Sequence, residues 1–432
     1  MADSDALRQC MVAGLARRGE LDERWRAAFT EVPRHQFIPE LVWHHDRDAA
    51  SNCDLVPLRR CDDPQGWLER AYANTPVNTQ VDDGHPIGEA GCGFEVTSSA
   101  SMPAVVAQML AALEVEPGMR VLEIGTGTGY NAALLAHRLG AENVVSVEVD
   151  PAVAAHARRA LADAGFGAVT VVTADGAEGY LPQTPYDRVI STVATVEVPH
   201  AWVAQTRPGG LVLTPWGTPY YPGGLLALTV HLDAIATGGI VGPASFMWLR
   251  AQRIPRYTTS RIVRRDDTAT ASTTDLHPWH VVGDANAATA IGLRVPKCES
   301  FYSPDSSVAG TLYLVDQWSR SWATLHVTTE APYEVRQSGE RKLWDEVRTA
   351  HGCWLNMGKP AADAWRFTID PGGQRIELLL ARDAYASGGA VSLSSMESKA
   401  AVIAGASDIS DSATQAGRVK RGRRHPGPQT PG

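Results

Sequence analysis

The sequence predicts an α/β chain: a doubly wound, Rossmann-like sheet followed by an additional C-terminal α+β region. Three observations carry that expectation. Val121 to Leu139, VLEIGTGTGYNAALLAHRL, is an apolar run that ends in a glycine-rich turn and opens a helical pattern. Apolar strand-like runs then alternate with helical stretches as far as Gly217, which is the signature of a parallel sheet. Beyond about residue 240 the pattern becomes an antiparallel meander with one amphipathic helix. Most of the twelve tryptophans fall from Trp248 onward, so this region is expected to own a core.

Taken in order, residues 4–30 have helical spacing. Leu7, Met11 and Leu15 share one face, and Leu21, Trp25 and Phe29 continue a second segment. VPRHQFIPE (32–40) breaks the pattern with two prolines and reads as a connector. From Asn52 to Gly93 the chain is polar and rich in Gly, Pro, Asp and Asn, with a brief helical stretch from Trp67 to Tyr72. It is expected to be a long irregular lid or binding loop. Ser99 or Ser101 is placed to cap a helix whose first turn holds Pro103.

After the glycine turn, VVSVEVD (144–150), VTVVTAD (169–175), YDRVISTVA (186–194) and LVLTPWG (211–217) read as successive parallel strands. LLALTVHL (225–232) reads as an antiparallel addition. Residues 256–290 are polar and weakly patterned. TLYLVD, SWATLHVTT and YEVRQ then form the meander, Glu340 to Asn356 a helix, and WRFTID and QRIELLLA a hairpin joined by Pro371-Gly372-Gly373. The expected division is an N-terminal helical segment with a lid loop (1–90), a cofactor-binding domain (91–240), an accessory domain (241–394) and a disordered basic tail (395–432).

Composition narrows the function classes. Charged residues make up 20% and hydrophobic ones 44% of the 432 residues, as in globular proteins, and the net charge of −9 gives no electrostatic reason to expect nucleic acid. No run of about 18 apolar residues occurs, so no membrane span is expected. The start has no signal-peptide architecture. The six cysteines are scattered without a C-x-x-C pair, which points to reduced thiols, a cytoplasmic location and no metal site. A monomer is expected.

The glycine turn is a nucleotide-type cradle, and its neighbours select among cofactors. The spacing is G-x-G-x-G rather than the G-x-G-x-x-G of dinucleotide sites. Glu123 inside the first strand end suits a ligand with a cationic amino-acid end. Glu148, closing the second strand, is placed to accept from both ribose hydroxyls. Asp175-Gly176, closing the third, suits an adenine amine. Acids at three successive strand ends describe an S-adenosylmethionine site made by Glu123, Gly125, Thr126, Gly127, Thr128, Gly129, Glu148, Asp175 and Gly176.

These motifs resemble the protein-L-isoaspartate O-methyltransferase family over roughly residues 5–240. VPRHQFIPE resembles the family's entry segment, VLEIGTGTGYNAALLAHRLG its cofactor motif, and Ala174-Asp175-Gly176 its third motif. YDRVISTVA and PGGLVLTPWG resemble its later strands. The resemblance implies a catalytic serine in an S-x-P pattern, which Ser101-Met102-Pro103 matches, preceded by Ser98, Ser99 and Ala100 as a cofactor-contacting stretch. It also implies an S-adenosylmethionine-dependent carboxyl methyltransferase whose partner is a peptide or protein bearing an aspartyl or isoaspartyl carboxylate. The long lead-in from Tyr72 to Ser101 and the region after 240 depart from that pattern. The latter, with SWATLHV, VRQSGERKLWDEV and WLNMGKP, resembles extended peptide-aspartate methyltransferases of ribosomal peptide (graspetide and lanthipeptide) pathways. The alternatives are a general repair enzyme, a small-molecule methyltransferase and a peptide-binding escort that has lost transfer.

Overall fold

The computed structural model describes residues 3–45, 55–86, 88–254, 259–263, 269–304 and 309–379. The basic tail expected at 395–432 lies outside these residues. Among the described residues no helix is long and apolar enough to cross a membrane.

The chain begins with helices α1 (Ser4–Arg17) and α2 (Glu23–Glu31). Each is capped by an aspartate, Asp3 and Asp22, whose carboxylate accepts an N–H of the first turn. Met11, Leu15, Trp25 and Phe29 are buried, as the spacing required. The next segment departs from the expected irregular loop. β1 (Leu41–His45), β2 (Leu55–Arg59), α3 (Pro64–Tyr72), β3 (Val77–Val81) and β4 (Val96–Ala100) build a four-stranded antiparallel sheet in the order β2-β1-β3-β4. Its strands, such as VNTQV and VTSSA, are short and polar, so they carry almost no period-2 signal and depend on partners distant in the chain.

α4 (Pro103–Ala112) leads into the central sheet. There β5 (Val121–Ile124), α5 (Tyr130–Leu139), β6 (Val144–Glu148), α6 (Pro151–Asp163), β7 (Thr170–Thr173), β8 (Tyr186–Ser191), α7 (His200–Ala204) and β9 (Thr206–Trp216) follow the expected alternation. β5, β6, β7, β8 and β9 pair in parallel, and β10 (Gly224–Val230) and β11 (Ala236–Pro243) add antiparallel strands. β11 went unseen in the sequence because ATGGIVGP is rich in glycine. Gly238 is required there, since a Cβ would collide with the Ala227 carbonyl of β10.

The C-terminal elements are α8 (Thr259–Ile262), β12 (Thr270–Thr274), α9 (Trp279–Val282), α10 (Ala285–Arg294), β13 (Glu299–Pro304), β14 (Gly310–Asp316), β15 (Ser321–Val327), β16 (Tyr333–Ser338), α11 (Leu343–Asn356), β17 (Trp365–Asp370) and β18 (Gly373–Leu378). The meander is present as a five-stranded sheet, β12-β16-β15-β14-β13. The hairpin β17–β18, expected in the accessory domain, instead extends the central sheet. β17 pairs with β11 (Ala236 opposite Ile369, Gly238 opposite Phe367), giving the order β18-β17-β11-β10-β9-β8-β5-β6-β7.

The separate core expected after 240 is replaced by a shared one. One face of the central sheet packs on the N-terminal helices through Val121, Leu134, Leu110, Phe29 and Trp25. The other face, from Leu122, Val189 and Leu226, runs without a break into Ile291, Leu314, Trp344 and Phe367. Tyr220, just past β9, is buried in that junction and donates to the Val281 carbonyl at 3.1 Å, while Ser300 donates to the Tyr220 carbonyl at 2.8 Å. Trp202 and Val203 of α7 cover part of this face beside β9, and the apolar surface of the C-terminal residues closes the rest.

Candidate active site

The cleft lies at the carboxyl ends of β5, β6 and β8, where a doubly wound sheet leaves room for a ligand. Its floor is the glycine turn. Gly125, Gly127 and Gly129 have φ of +88°, +52° and +87°, a region closed to most side chains. Gly125 also has no space for a Cβ, which would stand 2.7 Å from the Thr192 hydroxyl. The Gly127 N–H donates to Glu148 Oε2 at 2.9 Å, and the other oxygen of Glu148 accepts from the Asp150 N–H at 3.1 Å. Burial nevertheless raises the Glu148 carboxyl above its ordinary range, and those two N–H donors act in the opposite sense.

Of the residues singled out from the sequence, Ser98, Ser99, Ala100, Ser101, Gly125, Thr126, Gly127, Thr128, Glu148, Asp175 and Gly176 all line this cleft. Asp175 is exposed and caps the short turn after β7, accepting from the Ala177 N–H at 2.9 Å. Gly176 is pinned by packing, because a Cβ would press on Ile124. Its carbonyl accepts from the fully buried Trp202 indole at 2.8 Å.

Two expected residues do not line the cleft. Gly129 backs onto Leu161 and Ala157, and serves the close passage of α5 over α6. Glu123 is fully buried behind the turn. It accepts from Asn131 Nδ2 at 2.7 Å and from the Ser146 hydroxyl, which in turn meets Thr126 Oγ1 at 2.6 Å. Burial pushes its carboxyl up to about 7. The strand's alternation puts this side chain on the same face as Val121, against α5 and outside the cleft lining, so its influence on the cleft passes through Asn131 and Thr126, both of which line it.

The expected serine cap is also replaced. The residue capping α4 is Met102, without a side-chain bond, and Asn74 from the β3 approach accepts the Ala104 N–H at 2.9 Å. Among the described residues the Ser101 hydroxyl therefore has no partner, although Ser101 is half-buried at the cleft. Ser98 is occupied, accepting from Thr79 at 3.1 Å.

Sequence reasoning missed the opposite wall. Phe246, Met247, Trp248, Leu249 and Arg250 line the cleft, as do Thr97, Thr192 and Val193. The segment is laid beside Ala194 by two backbone bonds, Ala194 N–H to Met247 O at 2.7 Å and Leu249 N–H to Ala194 O at 2.8 Å. Arg250 and Arg253 both pair with Asp83, at 2.9 and 2.8 Å, which ties this segment to the turn after β3. The only trace in the sequence was the apolar run FMWL standing outside any periodic element.

Residues 63–222 match the family model described as protein-L-isoaspartate(D-aspartate) O-methyltransferase. A protein-L-isoaspartate O-methyltransferase of Methanoculleus marisnigri is 38% identical over 200 residues, 46% of this chain and 72% of that one. One from Ignicoccus hospitalis is 34% identical over 212 residues, 49% of this chain and 80% of that one. A solved structure of a putative protein-L-isoaspartate O-methyltransferase from Plasmodium falciparum, in complex with S-adenosyl-L-homocysteine, overlays 58% of this chain and 99% of its own at 16% identity and a TM-score of 0.42. The sequence identities with relatives that the chain largely covers decide the matter: the chain belongs to the protein-L-isoaspartate O-methyltransferase family of S-adenosylmethionine-dependent methyltransferase enzymes.

Proposed function

We propose that this protein methylates an aspartyl or isoaspartyl carboxylate of a peptide or protein, and that Ser101 orients that carboxylate. The observation that carries the reading is the unpartnered Ser101 hydroxyl at a cleft whose other wall is a glycine cradle with Glu148 and Asp175 at successive strand ends. Those residues would suit S-adenosylmethionine: Gly127 leaves its surface bare, and the carboxylates of Glu148 and Asp175, at successive strand ends of the cleft, would accept from ribose and adenine donors. When bound, that cofactor supplies a methyl carried on a sulfonium: a carboxylate oxygen forms the new C–O bond as the C–S bond breaks, and the electron pair stays on sulfur.

The chain's residues need to supply little acid–base chemistry. A peptide carboxylate with a pKa of about 3.9 is ionised at neutral pH, so no general base is required. Ser101 donates to the carboxylate and holds one oxygen in line, and the apolar wall Phe246–Leu249 limits water around it. The resulting ester lets the following backbone nitrogen attack the side-chain carbonyl and close to a succinimide, because an ester is a better acyl donor than a carboxylate. The C–N bond forms as the C–O bond to methoxide breaks, and methanol leaves with the nitrogen's proton.

The substrate is proposed to be a specific peptide of a ribosomal natural-product pathway. What supports this is the large addition after residue 240, anchored at Tyr220 just past the carboxyl end of β9 and continuous with the wall Phe246–Arg250. General repair is the second reading, favoured by the names of the curated relatives. The expected result is strong labelling of the cognate precursor and weak labelling of a generic isoaspartyl peptide by methyl-labelled cofactor. Efficient labelling of the generic peptide would remove the pathway-specific reading and leave repair.

A further inference from the structure

Arg34 opens the short turn Arg34–Phe37 and is fully buried. Among the described residues no carboxylate pairs with it. Its guanidinium donates instead to three backbone carbonyls: Ala71 through Nη1, and Ala100 and Ser101 through Nη2 at 3.1 and 2.9 Å. Nε is buried without a partner, and the guanidinium carbon stands 5.8 Å from the centre of the Tyr130 ring, whose own buried hydroxyl is also unpartnered. Burial lowers its pKa to about 10, so it remains a cation at neutral pH. A buried cation with no counter-ion is costly, and carbonyl dipoles with one ring face offset only part of that cost.

The two carbonyls at Nη2 have a consequence across the chain. In a trans peptide the C=O and N–H point in opposite directions. The Ala100 carbonyl shares its plane with the Ser101 N–H, and the Ser101 carbonyl shares its plane with the Met102 N–H. Both N–H groups are therefore turned away from Arg34, and among the described residues neither has a hydrogen-bond acceptor. They belong to Ser101 and the residue after it, and the Ser101 side chain lines the cleft with its hydroxyl likewise without a partner among the described residues.

We propose that Arg34 is a positioning residue for the substrate carboxylate: it holds the 100–101 and 101–102 peptides so that their N–H groups and the Ser101 hydroxyl are presented together, and its uncompensated charge favours a carboxylate at that place. This rests on the reading of Ser101 as the carboxylate site. The charge acts on binding rather than on transfer, because the carboxylate loses its negative charge as the methyl arrives. A cation behind it stabilises the bound substrate more than the transition state.

The test compares steady-state kinetics on the peptide substrate with calorimetric affinity for S-adenosylhomocysteine. Arg34→Gln is expected to raise KM for the peptide by about tenfold or more, the size of a lost charge-assisted bond, with kcat within about threefold. Affinity for S-adenosylhomocysteine should be unchanged. Arg34→Lys, which keeps the charge but loses the fork, should fall between Arg34→Gln and the parent. An unchanged KM in a folded Arg34→Gln would overturn the proposal. So would a parallel fall of kcat and S-adenosylhomocysteine affinity with no rescue by lysine, which is the pattern of mere structural damage.

If Arg34→Gln does not fold, the parent protein still decides. With S-adenosylhomocysteine bound, a peptide ending its side chain in carboxylate should bind about tenfold better than its carboxamide, by the same ratio at about 50 and about 500 mM salt, because a buried charge is little screened. A ratio near one, or one that collapses with salt, would overturn it. Ser101→Ala, measured alongside, tests the underlying reading separately. Parent-like KM and kcat in that variant would reject the role of Ser101, whatever Arg34→Gln does.

Discussion

The two walls of the cleft are built in opposite ways. The glycine wall, Gly125 to Thr128 with Glu148, comes from neighbouring strand ends of one sheet and is made mainly of backbone. The facing wall joins Thr97–Ala100 of β4 and Ser101 to Phe246–Arg250, segments roughly 150 residues apart in sequence. Asp83, which donates its N–H to Thr97, holds the second segment by ion pairs with Arg250 and Arg253. A wall made by conformation tolerates no added atoms but ignores salt. A wall made by docking accepts small changes but responds to charge and to the stability of what lies behind it.

The most severe way to break the contrast is at Gly125. Valine there meets both a φ of +88° and the Thr192 hydroxyl, so Gly125→Val should weaken S-adenosylhomocysteine binding by at least about 100-fold. Calorimetry on the folded variant checks this, and near-parent affinity would show that the turn is not conformationally determined. The docked side is tested at a distance by Trp344→Ala. Trp344 is buried in the core that joins α11 to the central sheet, and its loss should cost about 3–5 kcal/mol in a single denaturant transition. Two separated transitions would mean that the C-terminal residues fold independently.

Glu123 sharpens the comparison from behind the glycine wall. Its folded pKa, about 7, lies above the ordinary 4.5, so the native state binds the extra proton between those values. Stability at this group is therefore greatest at low pH and falls as pH rises from about 4.5 to about 7, by about 3 kcal/mol in the limit. Glu123→Gln should remove that slope, as followed by urea midpoints at pH 5 and 8. A slope that persists would assign it to other groups.

The smallest effect is expected at Asp83. Its carboxyl is held below the usual range first by the hydrogen bond from Arg253, and then by the charges of Arg250 and Arg253. Its contribution is present above the unfolded pKa and is lost only as pH falls through the depressed folded value, so the tie is intact at neutral pH. Asp83→Asn should weaken S-adenosylhomocysteine binding by about threefold at low salt, and the parent should approach the variant as salt rises. A variant indistinguishable from the parent at low salt would show that packing alone holds the wall.

Legibility in the sequence followed the same division. The parallel strands, the glycine turn and the place of Ser101 at the cleft could be read because each is a local pattern: an apolar run, a glycine spacing, a serine before a proline. Glu123 is expected at a strand end facing the ligand; it is at the strand end but buried and outside the cleft lining, since an acid inside a buried strand carries no mark of the face it takes. The caps at Asn74, the sheet at β1 to β4 and the hairpin β17–β18 on β11 all rest on partners far along the chain.

By itself, then, the sequence determined the doubly wound half and its glycine turn, because hydrophobic periodicity and the φ freedom of glycine act within a few residues. Tertiary structure alone decided that Arg34 stands behind Ser101, that Phe246–Arg250 closes the cleft, and that the C-terminal region shares its core with the central sheet. Those are choices about which buried surfaces and unpaired polar groups meet, and a chain makes them only when its distant parts are packed together.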